Sequence, residues 1–164
     1  MTDRRTTSPL AFTLAPGEGR TAAPLNVVGE PTLVKVSADD TGGALAVFHL
    51  TAPPMSGPPL HVHSREDEIF YVLDGELVFE VEGRRDTLGA GGSLFVPRGV
   101  AHRYQNFANR DARLLIVVTP GAFHDFFLEL SAATPPEGGI PPLDVLQAID
   151  ARHGITTLGP PMFE

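Results

Sequence analysis

The chain has 164 residues, 17 glycines, 16 prolines, no cysteine and a formal net charge of −8, which suits one domain of short elements divided by many turns. The missing cysteines exclude disulfides and thiolate metal sites. Lys35 is the only lysine and the arginines are scattered, so the overall field repels a phosphate backbone and nucleic acid is not an expected partner.

The first residues, MTDRRTTSPL, lack an apolar run of signal-peptide length. No stretch reaches the roughly 18 apolar residues of a membrane span, so the expected location is cytoplasmic, with no membrane partner. Residues 1–24 read as an N-terminal arm with one strand near LAFTL. Strand-like runs follow: PTLVKVSA, GALAVFHL, LHVH and EIFYVL. Asp74-Gly75 then predicts a hairpin turn into ELVFEVEG, where Leu77, Phe79 and Val81 share one face. SLFVP, AHRYQNF and RLLIVVT complete eight or more strands, an all-β sandwich or barrel over 25–119. Residues 120–164 change character. GAFHDFFLELSAA and PLDVLQAIDARHG read as two helices, the second closed by Gly154. Their apolar faces require burial, so they are expected to pack on the barrel as a helical cover.

Within this pattern, His61 and His63 project to the same face of one strand. Alone they fit either an edge strand with two surface histidines or a pair of metal ligands. Glu68 opens the apolar face that carries Phe70 and Val72, and a buried carboxylate needs a partner. Glu66 and Asp67 compete for this role from the same turn. Downstream, Pro97-Arg98-Gly99 makes a tight turn that delivers His102 to a strand start, on the face of Tyr104 and Asn106. Two turns thus bring ligand-type side chains to two strand starts.

On these residues the chain resembles the cupins. Their first motif is Gly, five residues, His-x-His, three or four residues, Glu, six residues, Gly; His61, His63, Glu68 and Gly75 match it, with Met55 in place of the leading glycine. The second is Gly, five residues, Pro-x-Gly, two residues, His, three residues, Asn; Gly91, Pro97, Gly99, His102 and Asn106 match throughout. The resemblance spans residues 43–119. It implies a double-stranded β-helix, or jelly-roll, barrel that binds one divalent transition metal (Fe, Mn, Ni, Co, Cu or Zn) through His61, His63, Glu68 and His102. A homodimer, with the N-terminal arm reaching a neighbour, is implied in the same way. HSREDEIFYVLDGEL and PGAFHDFFLEL are further similar to small bacterial cupins related to quercetin dioxygenase. That branch implies a metal-dependent dioxygenase acting on a small enol-type or phenolic compound, with Glu68 as either fixed ligand or base. The alternatives are a metal-dependent isomerase or lyase and a non-catalytic small-molecule-binding cupin.

Strand parity names Phe70, Val72, Tyr104 and Asn106 as pocket candidates, with Phe48, Phe79 and Phe95 as candidates to join them. Tyr104 is read either as a donor to substrate or as a packed tyrosine with its hydroxyl satisfied locally. His49, His124 and His153 read as packed, edge or helix-end histidines. Arg65 and Arg98 flank the ligand turns and read as solvated.

Overall fold

A computed structural model describes residues 11–163. Eleven strands form two antiparallel sheets. The first contains β1 (Leu25–Val27), β2 (Glu30–Val36), β3 (Ala46–Ala52), β10 (Ala112–Thr119), β5 (Asp67–Asp74) and β8 (Ser93–Val96), in that spatial order. The second runs β11 (Ile155–Gly159), β4 (Leu60–His63), β9 (His102–Gln105), β6 (Glu76–Val81) and β7 (Arg84–Gly89). Their inner faces enclose Val34, Phe48, Leu50, Phe70, Val72, Leu77, Phe79, Leu114 and Ile116, all at most 2 % exposed. Burying each of the larger of these stabilises the fold by about 1.5–3 kcal/mol. Two helices, α1 (Phe123–Ala133) and α2 (Leu143–His153), follow the last barrel strand. α1 buries Phe123, Phe126, Phe127 and Leu130, and its Phe127 ring lies edge-on to Phe48 with centroids 4.7 Å apart.

Three features depart from the sequence reading. Asp74-Gly75 is not a hairpin. β5 pairs with β10 and β8, whereas β6 pairs with β9 and β7, so this turn carries the chain from one sheet to the other. Gly75 has φ 80°, and a Cβ there would sit 2.9 Å from Ala112, so the corner demands glycine both for its backbone and for its close approach. The two-residue hairpins lie elsewhere, at Val28-Gly29 and Glu82-Gly83, where both residues of each pair have positive φ and the backbone twist matches the flanking strands.

The second departure is β11. The tail leaves α2 through Gly154 at φ 73°, a left-handed helix end, and then pairs with β4: Ile155 opposite His63, Thr157 opposite His61. The extension therefore contributes a strand beside the histidine strand as well as two helices. The third concerns LAFTL: residues 11–14 carry no strand, and Leu10 lies outside the described residues.

Met55, which replaces the motif's leading glycine, keeps a left-handed backbone at φ 62°. Its N–H donates to Asn106 O at 2.7 Å, and Asn106 N–H returns a bond to Ser56 O at 2.9 Å. This clasp ties the entrance of β4 to the exit of β9. Gly57 follows so close to β9 that any Cβ would collide with the Tyr104 carbonyl oxygen. A left-handed L-residue costs about 1–2 kcal/mol, and glycine's greater freedom in the unfolded chain offsets part of that. Met55→Gly is expected to stabilise the protein by about 1 kcal/mol, a rise of about 2–4 °C in Tm by calorimetry.

Candidate metal centre

His61 and His63 lie on β4, Glu68 on β5 and His102 at the start of β9. Register places His61 directly opposite His102. One donor atom from each of the four residues lies within 4.8 Å of the others. Two imidazoles are oriented by backbone carbonyls: His61 Nδ1 is 2.8 Å from Pro59 O, and His102 Nδ1 is 3.0 Å from Val100 O. In each case Nδ1 serves as donor and Nε2 is turned to the cluster, the usual way a second contact fixes a metal-binding imidazole.

Glu68 is 4 % exposed and His102 2 %. Glu68 Oε2 lies 3.0 Å from His102 Nε2 and 3.5 Å from His63 Nε2. Burial pushes Glu68 up, but His63 and His102 overcome it and hold the carboxyl at about 2. Burial pushes His102 down, yet the hydrogen bond and charge of Glu68 hold its proton above the ordinary histidine range. His61 is depressed to about 3 by burial and by the neighbouring His102 and His63. The cluster is thus built around one ionised carboxylate facing imidazole nitrogens.

A cation fits this arrangement on an observation within the protein. Both nitrogens of His63 are buried without a hydrogen-bond partner. An unsatisfied buried polar group costs about 1–3 kcal/mol, and coordination through Nε2 removes that cost. Three imidazoles and a carboxylate are borderline donors suited to a first-row divalent ion. On its other side His63 Nδ1 faces Glu66 Oε2 at 3.6 Å, and Glu66 is 4 % exposed with that oxygen unpartnered. Glu66, a competitor of Glu68 in the sequence, thus lies outside the four-residue cluster and backs one of its histidines. Glu66→Gln is expected to weaken metal affinity about tenfold or more, measured by competition with a chelating dye, while His61 and His102 keep their own carbonyl partners.

A partly open cavity of about 100 Å³ adjoins the cluster, lined among others by His61, Glu68, Phe70 and Tyr104 from the barrel and Phe123, Phe126, Phe127 and Leu130 from α1. Of the seven pocket candidates, Phe70 and Tyr104 line it and five do not. Phe48 and Val72 are fully buried in the core. The Asn106 side-chain amide is consumed in bonds to Ala52 O and Arg110 O, both 2.8 Å. Phe79 is also core, and Phe95 lies on the outer sheet face, 59 % exposed. Arg98 pairs with Asp67 at 3.0 Å and Arg65 bonds Arg152 O, so neither faces the cavity.

Sequence reasoning missed Glu30 and the α1 phenylalanines as cavity walls. Glu30 opens an alternating apolar strand just as Glu68 does, and that signal was available. The Tyr104 hydroxyl donates to Glu30 Oε2 at 2.7 Å.

Residues 48–118 match the Cupin domain family. The barrel is a cupin domain. Among relatives of this cupin, an oxalate-binding protein from Thermotoga maritima is 39% identical over 66 residues, covering 40% of this chain and 54% of that protein. The tetracenomycin polyketide synthase protein TcmJ from Streptomyces glaucescens is 33% identical over 88 residues, covering 54% and 58%. The chain thus spans little more than half the length of these curated relatives. A predicted oxalate decarboxylase from Thermotoga maritima superimposes with a TM-score of 0.55 at 28% identity, covering 60% of this cupin and 92% of that chain. A conserved cupin barrel protein from Salinispora arenicola gives 0.56 at 18% identity, covering 73% and 98%, a likeness of fold. No described helix is long and apolar enough to cross a membrane.

Proposed function

We propose that this cupin is a metal-dependent dioxygenase acting on a small enol-type or phenolic compound. The observation that carries the reading is the convergence of His61, His63, Glu68 and His102 beside a cavity whose walls are mostly aromatic and aliphatic. A first-row divalent cation held by these four residues supplies Lewis acidity and, where the metal is redox-active, electron transfer to O₂. The chain's own residues do the rest. Phe123, Phe126, Phe127 and Leu130 exclude water from the reacting end. Glu68, held at about 2, would accept the hydroxyl proton only of a substrate acidified by the bound cation, while His61 and His102 stay fixed by their backbone carbonyls. At about 100 Å³ the cavity is smaller than an engineered apolar one of about 150 Å³ that takes benzene. One small ring is therefore its upper bound and extends to the open side, and a fused flavonol requires movement of α1 or α2. A relative bears the name of a polyketide synthase protein, which suits an aromatic or enolic ligand. Oxalate, the ligand named for another relative, is less well served, because no described Arg or Lys lines this cavity.

Elemental analysis of protein purified without added metal, followed by anaerobic reconstitution and oxygen uptake on a panel of ring-sized enols and phenols, tests the proposal. Metal-dependent uptake supports it. Turnover under argon points instead to an isomerase or lyase, and stable binding without turnover to a binding module.

The homodimer is proposed on the outer face of the first sheet. Ile69, Tyr71, Leu73 and Phe95 are each at least 39 % exposed, and register sets Ile69 beside Phe95 and Val117, and Tyr71 beside Leu115. A contiguous apolar face of this kind suits a second copy of the chain. Tyr71→Lys with Phe95→Glu is expected to weaken self-association at least tenfold in sedimentation equilibrium.

A further inference from the structure

Glu30 begins β2, immediately after the Val28-Gly29 turn, and is 3 % exposed. Its Oε2 accepts from Tyr104 Oη at 2.7 Å and its Oε1 from Ser56 Oγ at 2.8 Å. It forms no ion pair with any described Arg, Lys or His. A carboxylate offers about four acceptor positions, so two neutral donors leave half of that capacity unused. A buried carboxyl held by neutral donors alone is a costly way to anchor a strand, because a glutamine would satisfy the same two neighbours. Yet Glu30 lines the cavity shared by His61 and Glu68.

We propose that Glu30 is a substrate-contacting residue. It accepts a hydrogen bond from a hydroxyl of an uncharged, ring-sized ligand whose apolar body lies against Phe70, Phe123, Phe127 and Leu130. This rests on the reading of the cavity as a substrate site, and it adds the polar feature that selects among apolar rings. Among the described residues no Arg or Lys lines the cavity, which favours an uncharged ligand. Tyr104 and Ser56 act as positioning residues that hold the carboxyl in place.

The test compares phenol with toluene by calorimetric titration of the metal-loaded protein, as wild type, Glu30→Leu and Glu30→Gln. Wild type is expected to prefer phenol at least tenfold, and Glu30→Leu to lose that preference with toluene affinity unchanged. Glu30→Gln keeps the fold, since its amide can accept from Tyr104 and donate to Ser56. Between pH 6 and pH 8, wild-type phenol affinity is expected to rise severalfold, because burial raises the Glu30 carboxyl to about 7. Phenol itself ionises only near about 10. The other titratable groups on the cavity are Tyr104, Glu68, His61 and Asp150. All remain in Glu30→Gln, so the step must vanish there. A step that persists in Glu30→Gln, or phenol affinity in Glu30→Leu within twofold of wild type, overturns the proposal. So does failure of wild type to prefer phenol. Metal content and oxygen uptake are read on the same samples: lost uptake in every metal form with phenol selectivity intact sinks the dioxygenase reading alone. A fall in metal content in both Glu30 variants would show that Glu30 acts through the cluster, and would overturn direct contact.

Discussion

Replacing His61 or His102 by alanine is expected to abolish metal binding by the cluster and to leave the barrel folded. The two imidazoles face each other across the β4–β9 pair, with ring centroids 4.4 Å apart, and each supplies one of four donors. Disturbing only the partner of a ligand costs about 10–100-fold in metal affinity, so removing the ligand itself costs at least about a hundredfold. The fold survives because the hydrophobic core is built from the inward faces of both sheets and from α1, and β4 remains held between β11 and β9. Metal at about a thousand times its Kd stabilises the folded state by about 4 kcal/mol, or about 10 °C in Tm for a chain of this size. A strong chelator should therefore lower the wild-type Tm by that order and leave both variants unmoved. Elemental analysis decides the matter: stoichiometric metal in both variants refutes the ligand assignment.

The convergence of His61, His63, Glu68 and His102 was legible because these residues sit at turns whose chemistry is local. Pro97 and Gly99 shape one turn and the His-x-His alternation aims two side chains together, and neither needs knowledge of a distant strand. What sequence could not convey is the choice of partner. Asp74-Gly75 has the composition of a hairpin, and Gly75 does take positive φ, but β5 and β6 are drawn into different sheets by β10 and β9, which lie about twenty to forty residues further on. β11 was invisible for a related reason. ITTLG is short and its middle residues are exposed, so no alternation marks it, and its stability comes from β4, some ninety residues earlier. β7, RRDTLG, is almost wholly exposed and reads as loop by composition; its charges suit an edge that must not pair with another chain. Parity also overreached. It correctly turned Val72 and Asn106 inward, but inward is not the same as cavity-facing: Val72 fills core, and Asn106 pins backbone.

The contribution of Glu30 to stability should fall as pH rises from about 5 to about 8, and Glu30→Gln should remove that fall. Desolvation raises the Glu30 carboxyl from 4.5 to about 7, against the lowering influence of Tyr104 and Ser56. The folded state therefore binds a proton more tightly at this site than the unfolded chain does. Between these two values the native protein holds the proton that the unfolded protein releases, so stability decreases with pH across that window. The contribution is complete below the unfolded value of 4.5, and it is lost as pH passes through about 7. One pKa unit corresponds to about 1.4 kcal/mol, so the loss amounts to about 3 kcal/mol, or about 6–12 °C in Tm. Asp67, Asp74 and Glu80, held below the usual carboxylate range by their arginine partners, act in the opposite sense below this window, and His61, depressed to about 3, acts so up to about 6.5. All four remain in Glu30→Gln, so the difference between variant and wild type isolates Glu30. The quantity to measure is the difference in Tm between Glu30→Gln and wild type at pH 5, 6, 7 and 8. It should grow steadily in favour of the variant. A flat difference would mean that Glu30 is ionised at the same pH whether the chain is folded or not, and that its burial imposes no electrostatic penalty.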